Sequence, residues 1–351
     1  MNRIRVLVAG LGNMGRSHAL AYHNHPNFEI AGLVNRSEPD LPPPLSGIPV
    51  TQDFYESLAK VNCDAVSINT YSNSHADYAI AALEAGKHVF LEKPMATTVD
   101  AAERVVEAAR VHQRTLVVGY ILRHHPSWVR LVQEARQLGG PYVFRLNLNQ
   151  QSSAATWQTH KQLMQSTSPI VDCGVHYVDV MCQITDAIPV KVSGMGLRLT
   201  DDIPSQMYNY GHFQVYFDDG SIGWYEAGWG PMISETAYFV KDIISPRGAV
   251  SIVMDETARS DDIDTHTRTS CIRVHRSELN SSKAFKHEDV LLDMQDEPDH
   301  QELCNREQAF FSDAIVNNLN LERHWRDALL SLRVCLAADE SVRSGNTVEL
   351  K

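Results

Sequence analysis

Residues 4–15, IRVLVAGLGNMG, decide how the first third of this chain folds. An almost unbroken aliphatic run reads as a strand buried on both faces, and Gly10, Gly12 and Gly15 follow it at once. Glycine serves where the chain must turn sharply or where another backbone comes close, and here the three jobs are separable. Gly10 suits the tight turn, Gly12 lets backbone amides approach a pyrophosphate, and Gly15 lets helix and strand pack closely. Asn13 and Met14 complete the loop. A glycine-rich turn alone is common. A strand before it, a helix after it and a place at the chain's start together read as a dinucleotide site, for NAD or NADP.

Outward from this stretch, short β-branched runs alternate with helical patterns, the signature of a parallel sheet covered by helices. IRVLVAG, FEIAGLVN, DAVSINT, HVFLE and TLVVGY are the expected strands. NSHADYAIAALEAGKH reads as a helix opened by Ser or Asn and closed by Gly86, and TTVDAAERVVEAARVHQ as one opened by a Thr97 to Asp100 capping box. The prolines of SEPDLPPPLSGIP mark a loop. After Tyr120 the rhythm changes to longer alternating segments: YVFRLNLNQQ, KVSGMGLRL, YNYGHFQVYF and SIGWYEAGW, the last two joined by the turn residues DDG. These describe a mostly antiparallel sheet, interrupted by the helical pattern PIVDCGVHYVDVMCQIT and followed by two closing helices. The expected fold is α/β, with a dinucleotide-binding domain over residues 1–121 and a substrate-binding and oligomerisation domain over residues 122–351.

The second strand ends in VNRS, where an NAD-preferring fold usually carries Asp or Glu for the ribose hydroxyls. Asn35 is neutral, and Arg36 with Ser37 can grip a 2′-phosphate, so the expectation leans slightly to NADP; as a solvated loop residue Arg36 would leave the preference open. The fourth strand ends in LEKP. Such strands deliver their C-terminal ends to the ligand crevice, which aims Lys93 at a substrate oxygen whose charge it can stabilise. Pro94 restricts Lys93 to an extended conformation, and a cis bond there would fix its direction.

PIVDCGVHYVDVM places Asp172, His176 and Asp179 on one helix face. A histidine suits proton transfer near neutral pH and a carboxylate one turn away can orient it; a capped helix with a core histidine and a metal site are the other readings of the same spacing. No further ligand cluster stands at usable spacing, and no metal is expected.

Together GLGNMG, the Glu92, Lys93, Pro94 tripeptide and the Asp172 to His176 helix resemble the Gfo/Idh/MocA oxidoreductases, the glucose-fructose oxidoreductase and inositol dehydrogenase family, down to the closing ESVRSGNTVEL. The resemblance implies a Rossmann domain, a second α/β domain on an open, mostly antiparallel sheet, and NAD(P)-linked redox chemistry on sugars or cyclitols. It places Lys93, Asp172 and His176 at the family's catalytic positions and at the substrate, and sets Glu92 and Lys93 beside the cofactor. NTYSNSH resembles the turn that lies along the cofactor, which implies contacts from Asn69, Thr70, Tyr71 and His75; Tyr71 stands where the family usually has proline. GYILRHHP resembles the entry to the second domain and brings Tyr120 toward substrate and Arg123 toward cofactor or substrate. STSP replaces the family's usual Gly-Gly pair, so side chains at Ser166, Thr167 and Ser168 narrow that approach. Trp157, His160 and Lys161, and the aromatic stretch Trp224, Tyr225, Glu226 and Trp229, are further candidates at a sugar, or else ordinary core. Two other functions fit the same motifs: a glycoside-cleaving enzyme that oxidises its substrate transiently, and a ligand sensor that keeps the fold without catalysis.

The 351 residues suffice for two cored domains, and 43% apolar with 21% charged residues is an ordinary globular composition. A net charge of −12 argues against nucleic acid or anionic membrane as partners. No membrane span or secretory leader is read, and six scattered cysteines suit reduced thiols, so a cytoplasmic protein is expected. Tyr208, Tyr210, Phe213, Val215, Phe217, Trp224 and Tyr225 read as more aromatic surface than one sheet face exposes. With the family's habit of assembly, this points to a homodimer or homotetramer.

Overall fold

A computed structural model describes residues 3–234, 239–260, 262, 266–294 and 296–350. The chain forms two compact units, one of residues 1–121 with 300–329 and one of residues 122–299 with 330–351. A single cut at 121/122 therefore misses the return of residues 300–329 to the first unit.

In the first unit β1 (Ile4–Ala9), β2 (Phe28–Val34), β3 (Val50–Thr51), β4 (Ala65–Ile68), β5 (His88–Glu92) and β6 (Leu116–Gly119) form a sheet in the order β3-β2-β1-β4-β5-β6. Every pairing in it is parallel. The five long strands are those read from the sequence, and only the two-residue β3 escaped notice. Val6, Leu7, Val8 and Ala9 are wholly buried, as a central strand covered on both faces requires. Helices α1 (Asn13–Asn24), α2 (Phe54–Lys60), α3 (His75–Glu84) and α4 (Val99–Val111) connect the strands. The cap of α4 is Thr98, whose side chain accepts from the Ala101 amide, not Thr97. Pro43–Leu45 forms one 3-10 turn inside the proline-rich loop.

The second unit carries α5 (Pro126–Leu138), α6 (Ala154–Leu163) and α7 (Pro169–Ile184) on a nine-stranded sheet. Its strands are β7 (Val143–Gln151), β8 (Pro189–Leu197), β9 (Tyr210–Phe217), β10 (Ile222–Gly230), β11 (Lys241–Ser245), β12 (Gly248–Met254), β13 (Thr269–Arg276), β14 (Val290–Asp293) and β15 (Val348–Glu349), in the order β14-β13-β12-β11-β7-β10-β9-β8-β15. Among the described residues only β10 and β7 run parallel; the other pairings are antiparallel, including the β9–β10 hairpin turned by Asp218, Asp219 and Gly220. The chain closes with α8 (His300–Val316) and α9 (Glu322–Ser344), and the division between the units falls within α9.

The expected aromatic surface needs correction. Phe213, Val215, Phe217 and Tyr225 are buried on the face that α7 covers, where the Tyr177 and Tyr225 rings stack at 4.9 Å, and Tyr208 is buried too. Alternation puts a different set on the open face: Met195, Leu197, Tyr216 and Ile222 are exposed there, with Tyr210 and Trp224 half-buried among them. All six cysteines are free thiols. Among the described residues no helix is long and apolar enough to cross a membrane.

Candidate active site

The glycine-rich turn divides its labour as its spacing predicts. Gly10 has φ +84°, and a Cβ there would stand 2.5 Å from the Asn69 carbonyl oxygen. A Cβ at Gly15 would collide with the Gly10 carbonyl, whereas one at Gly12 would meet nothing within 4 Å. Of the three glycines, Gly12 alone leaves open space where a side chain would stand. Gly12 is also the N-cap of α1, which has no side-chain cap and no acidic residue in its first turn, leaving its amides and dipole open to an anion. These features fit the pyrophosphate of a dinucleotide.

Around the turn, several side chains expected at the cofactor make hydrogen bonds within the protein. Asn35 Oδ1 accepts from the Leu11 amide at 3.0 Å and its Nδ2 donates to Ser37 O at 2.8 Å, tying β2 to the turn. Asn69 is buried and donates to Ser67 Oγ at 3.1 Å. Thr70 Oγ1 lies 2.7 Å from Ser74 Oγ. His75 is buried with Nδ1 at 2.7 Å from Pro94 O and Nε2 at 2.9 Å from Thr70 O, bracing one loop against the other, and burial lowers its pKa despite both contacts. Arg36, Ser37 and Tyr71 are the exposed members, and the Arg36 guanidinium lies 5.8 Å from the Tyr71 ring centroid. The sequence reading missed Arg16, which donates to Asn13 Oδ1 at 2.8 Å and adds a cation to the first turn of α1.

Lys93 follows β5 directly, half-buried, and the Lys93–Pro94 bond is cis. Its neighbour Glu92 is buried. Glu92 Oε1 meets His18 Nε2 at 2.8 Å and Oε2 accepts the Lys93 amide at 3.0 Å, so this carboxylate holds the main chain of the lysine and does not face out toward a nucleotide. Tyr120, expected at the substrate, is 1% exposed, its ring edge-on to His324. The aliphatic strand ending in β6 carries it into the core.

In the second unit, α7 begins at Ser168, whose Oγ accepts from the Val171 amide at 3.2 Å and donates to Asp339 Oδ1 at 2.6 Å. The side chain expected to narrow a ligand approach is thus a buried helix anchor; Thr167 is buried beside it and Ser166 exposed. Every residue of α7 is buried except Asp172, His176 and Gln183. Asp172 and His176 lie one turn apart on the same side. Asp179 does not join them. It takes both oxygens to Arg123, at 2.8 and 2.6 Å, and accepts from Gln183 at 2.9 Å, which commits the Arg123 guanidinium as well.

Beside this pair, His160 stacks on Trp229 at 4.4 Å and 7°, and Trp229 Nε1 donates to Gln150 Oε1 at 2.8 Å. Burial pulls the His160 pKa down to about 4, opposed by the nearby Asp172 charge. Trp157 is buried, with Lys161 Nζ 5.8 Å from its ring centroid. Beneath α7 the buried Lys241 donates to Asn147 O under the Tyr177 ring, and burial lowers its pKa to about 7.

Comparison with known proteins agrees with this geometry. Residues 4–120 match the family described as oxidoreductase family, NAD-binding Rossmann fold, and residues 128–236 match the GFO/IDH/MocA C-terminal domain. A scyllo-inositol 2-dehydrogenase (NAD(+)) of Bacillus subtilis is 26% identical over 99% of this chain and 97% of its own. A D-xylose 1-dehydrogenase [NADP(+)] of Haloarcula marismortui is 27% identical over 47% of this chain and 48% of its own. The crystal structure of scyllo-inositol dehydrogenase from Lactobacillus casei with bound NAD(H) and scyllo-inositol shares the fold at a TM-score of 0.75, with 20% identity over 99% of each chain.

Proposed function

Because the chain belongs to the Gfo/Idh/MocA oxidoreductases, we propose that it moves a hydride between a nicotinamide nucleotide and a secondary alcohol or ketone of a cyclitol, sugar or sugar derivative. The observation that carries this reading is the selective exposure on α7: a helix buried almost throughout leaves Asp172 and His176 reachable, one turn apart. Relatives named for inositol and xylose support the substrate class.

The residues divide the work as follows. Gly12, the open amides of α1 and Arg16 hold the pyrophosphate. When bound, the nicotinamide supplies the place where a hydride is taken or returned. His176 accepts the hydroxyl proton during oxidation. Its Nδ1 is buried, so Nε2 is the atom assigned to the transfer, and Asp172 favours the charged ring that results. Lys93 Nζ can only donate, and a donor of that kind at a substrate oxygen stabilises a developing alkoxide. The absence of a carboxylate after β2, with Arg36 exposed there, supports a slight lean to NADP; the relatives include users of each nucleotide.

A panel of inositols and aldoses, followed at the nicotinamide absorbance band with NAD and NADP in parallel, tests the proposal. Reduced nucleotide accumulates with at least one of them. Product formation without net reduced nucleotide would mark the transient oxidation of a glycoside-cleaving enzyme, and no turnover or nucleotide binding at all would leave only a sensor. Arg36→Ala run on the same panel weakens NADP by roughly tenfold or more, the scale of a charge-assisted contact, and barely alters NAD; equal loss on both removes the lean.

A further inference from the structure

Behind the Lys93 turn the first unit encloses a second carboxylic acid that the reaction does not use. Glu307 of α8 is 1% exposed, and neither of its oxygens has a hydrogen-bond partner among the described residues. It shares its chamber with Glu92. The groups that face it come from each element packed there: Glu92 from β5, His18 and Tyr22 from α1, and Cys304 and Gln308 from α8 itself. Phe90 and Phe311 add apolar walls, with the Phe90 ring 4.8 Å from that of His18.

Hydrogen bonding decides which carboxyl carries the charge. Gln308 Nε2 donates to His18 Nδ1 at 2.9 Å, so the ring hydrogen sits on Nε2 and is given to Glu92 Oε1. Glu92 Oε2 receives the Lys93 amide. At least two donors thus serve Glu92, whereas among the described residues none serves Glu307. A second charge here would face the first inside the same buried chamber, an arrangement that drives one of two neighbouring carboxyls to keep its proton.

We propose that Glu307 is a positioning residue, acting as a neutral acid that lets Glu92 alone carry charge and so hold the Lys93 main chain in its working place through His18 and the Lys93 amide. Burial, with the Glu92 charge beside it, pushes the Glu307 carboxyl well above its ordinary range. The sign of the pH dependence follows. Above the ordinary carboxylate value the unfolded chain has lost a proton that the folded chain keeps, so this group's contribution to stability is full at acid pH and is lost as pH rises to the raised value. The folding equilibrium then changes by up to about tenfold per pH unit.

The test compares whole wild-type protein with Glu307→Gln, a near-isostere of the neutral acid. The difference in melting temperature between them changes with pH from 5 upward, with the variant gaining on the wild type. The role in catalysis rests on the dehydrogenase reading and has its own arm: kcat of the wild type falls as pH rises through the range in which Glu307 loses its proton, and the variant moves that fall upward by about one pH unit or more with the nucleotide KM unmoved. The melting arm does not depend on what Lys93 does, so failure of the dehydrogenase reading and failure of this proposal are distinguishable. Parallel pH profiles of melting in the two proteins overturn the neutral acid, and an unmoved alkaline fall in kcat overturns the positioning role. If Gln does not fold, Glu307→Met supplies a neutral side chain of similar length for the same comparison; failure of both to fold overturns the proposal, because a neutral acid is replaceable by either. His18, Cys304 and Glu307 have ligand-type atoms within 4.8 Å of one another. About one equivalent of a divalent metal in the wild-type protein, lost in Cys304→Ser, would therefore make Glu307 a charged ligand and overturn it too.

Discussion

Lys93 and His176 differ in what surrounds them, and that difference shapes what their loss should do. Lys93 emerges from a turn fixed by Glu92 and Pro94, while His176 is a half-exposed side chain on a buried helix. Lys93→Met and His176→Ala are expected to lower kcat by roughly 10²-fold or more, the scale of a positioned acid-base group, with nucleotide affinity measured by fluorescence titration close to wild type. Near-normal turnover in either variant would remove it from the chemistry. The sequence offers these two and Asp172 as candidates because chemistry-bearing side chains stand at a strand end and at helix spacings that fold logic can interpret, and the structure leaves Lys93, Asp172 and His176 partly exposed. Tyr120, His75 and Asn35 are harder to read: a polar or aromatic residue beside a motif can serve either the ligand or the scaffold. Only the burial of Tyr120 and the two carbonyls facing His75 separate the cases.

At the scale of elements, the turn between β1 and α1 gives a contrast that isolates binding from folding. A methyl at position 12 touches nothing in the protein, so Gly12→Ala keeps its melting temperature within a degree or two, since surface changes away from special features rarely exceed about 0.5 kcal/mol. If the turn holds the pyrophosphate as proposed, the same methyl obstructs it, and nucleotide affinity is expected to fall by about tenfold or more. A methyl at position 10 meets the Asn69 backbone at a φ of +84°, so Gly10→Ala loses the fold before it loses the ligand. Equal affinity in Gly12→Ala and wild type would separate this turn from the cofactor. Strands of the first sheet were readable because burial on both faces leaves continuous aliphatic runs. In the second sheet β11 to β14 were not found, and the inward aromatics of β9 and β10 were assigned to a face awaiting a second copy of the chain. Alternation reveals that a strand has two faces, but which one a helix covers is decided by α7, far away in sequence.

For the whole molecule, the open face of the nine-stranded sheet sets the expected assembly. Met195, Leu197, Tyr216 and Ile222 lie on it at 68%, 58%, 38% and 40% exposure, and Lys191 Nζ sits 4.6 Å from the Tyr216 ring centroid. A patch of this kind favours a second copy of the chain. Light scattering at micromolar concentration should return a multiple of the 39.3 kDa chain mass, and Leu197→Asp with Ile222→Asp should shift it toward one chain. A wild-type mass of one chain would refute the assembly.

The return of residues 300–329 has a further consequence, for the order in which the chain is finished as it is synthesised. Residues 1–121 supply a whole parallel sheet, yet their cover arrives last. Phe28 awaits the Phe311 ring, the Val118 amide awaits His324 Nε2, and Leu116 O awaits Trp325 Nε1. Domains ordinarily mature from the N-terminus as the ribosome advances. Here the second unit, most of which is encoded in between, has nearly all of its strands on hand first, while the nucleotide-binding half waits, partly uncovered, for the last fifty or so residues.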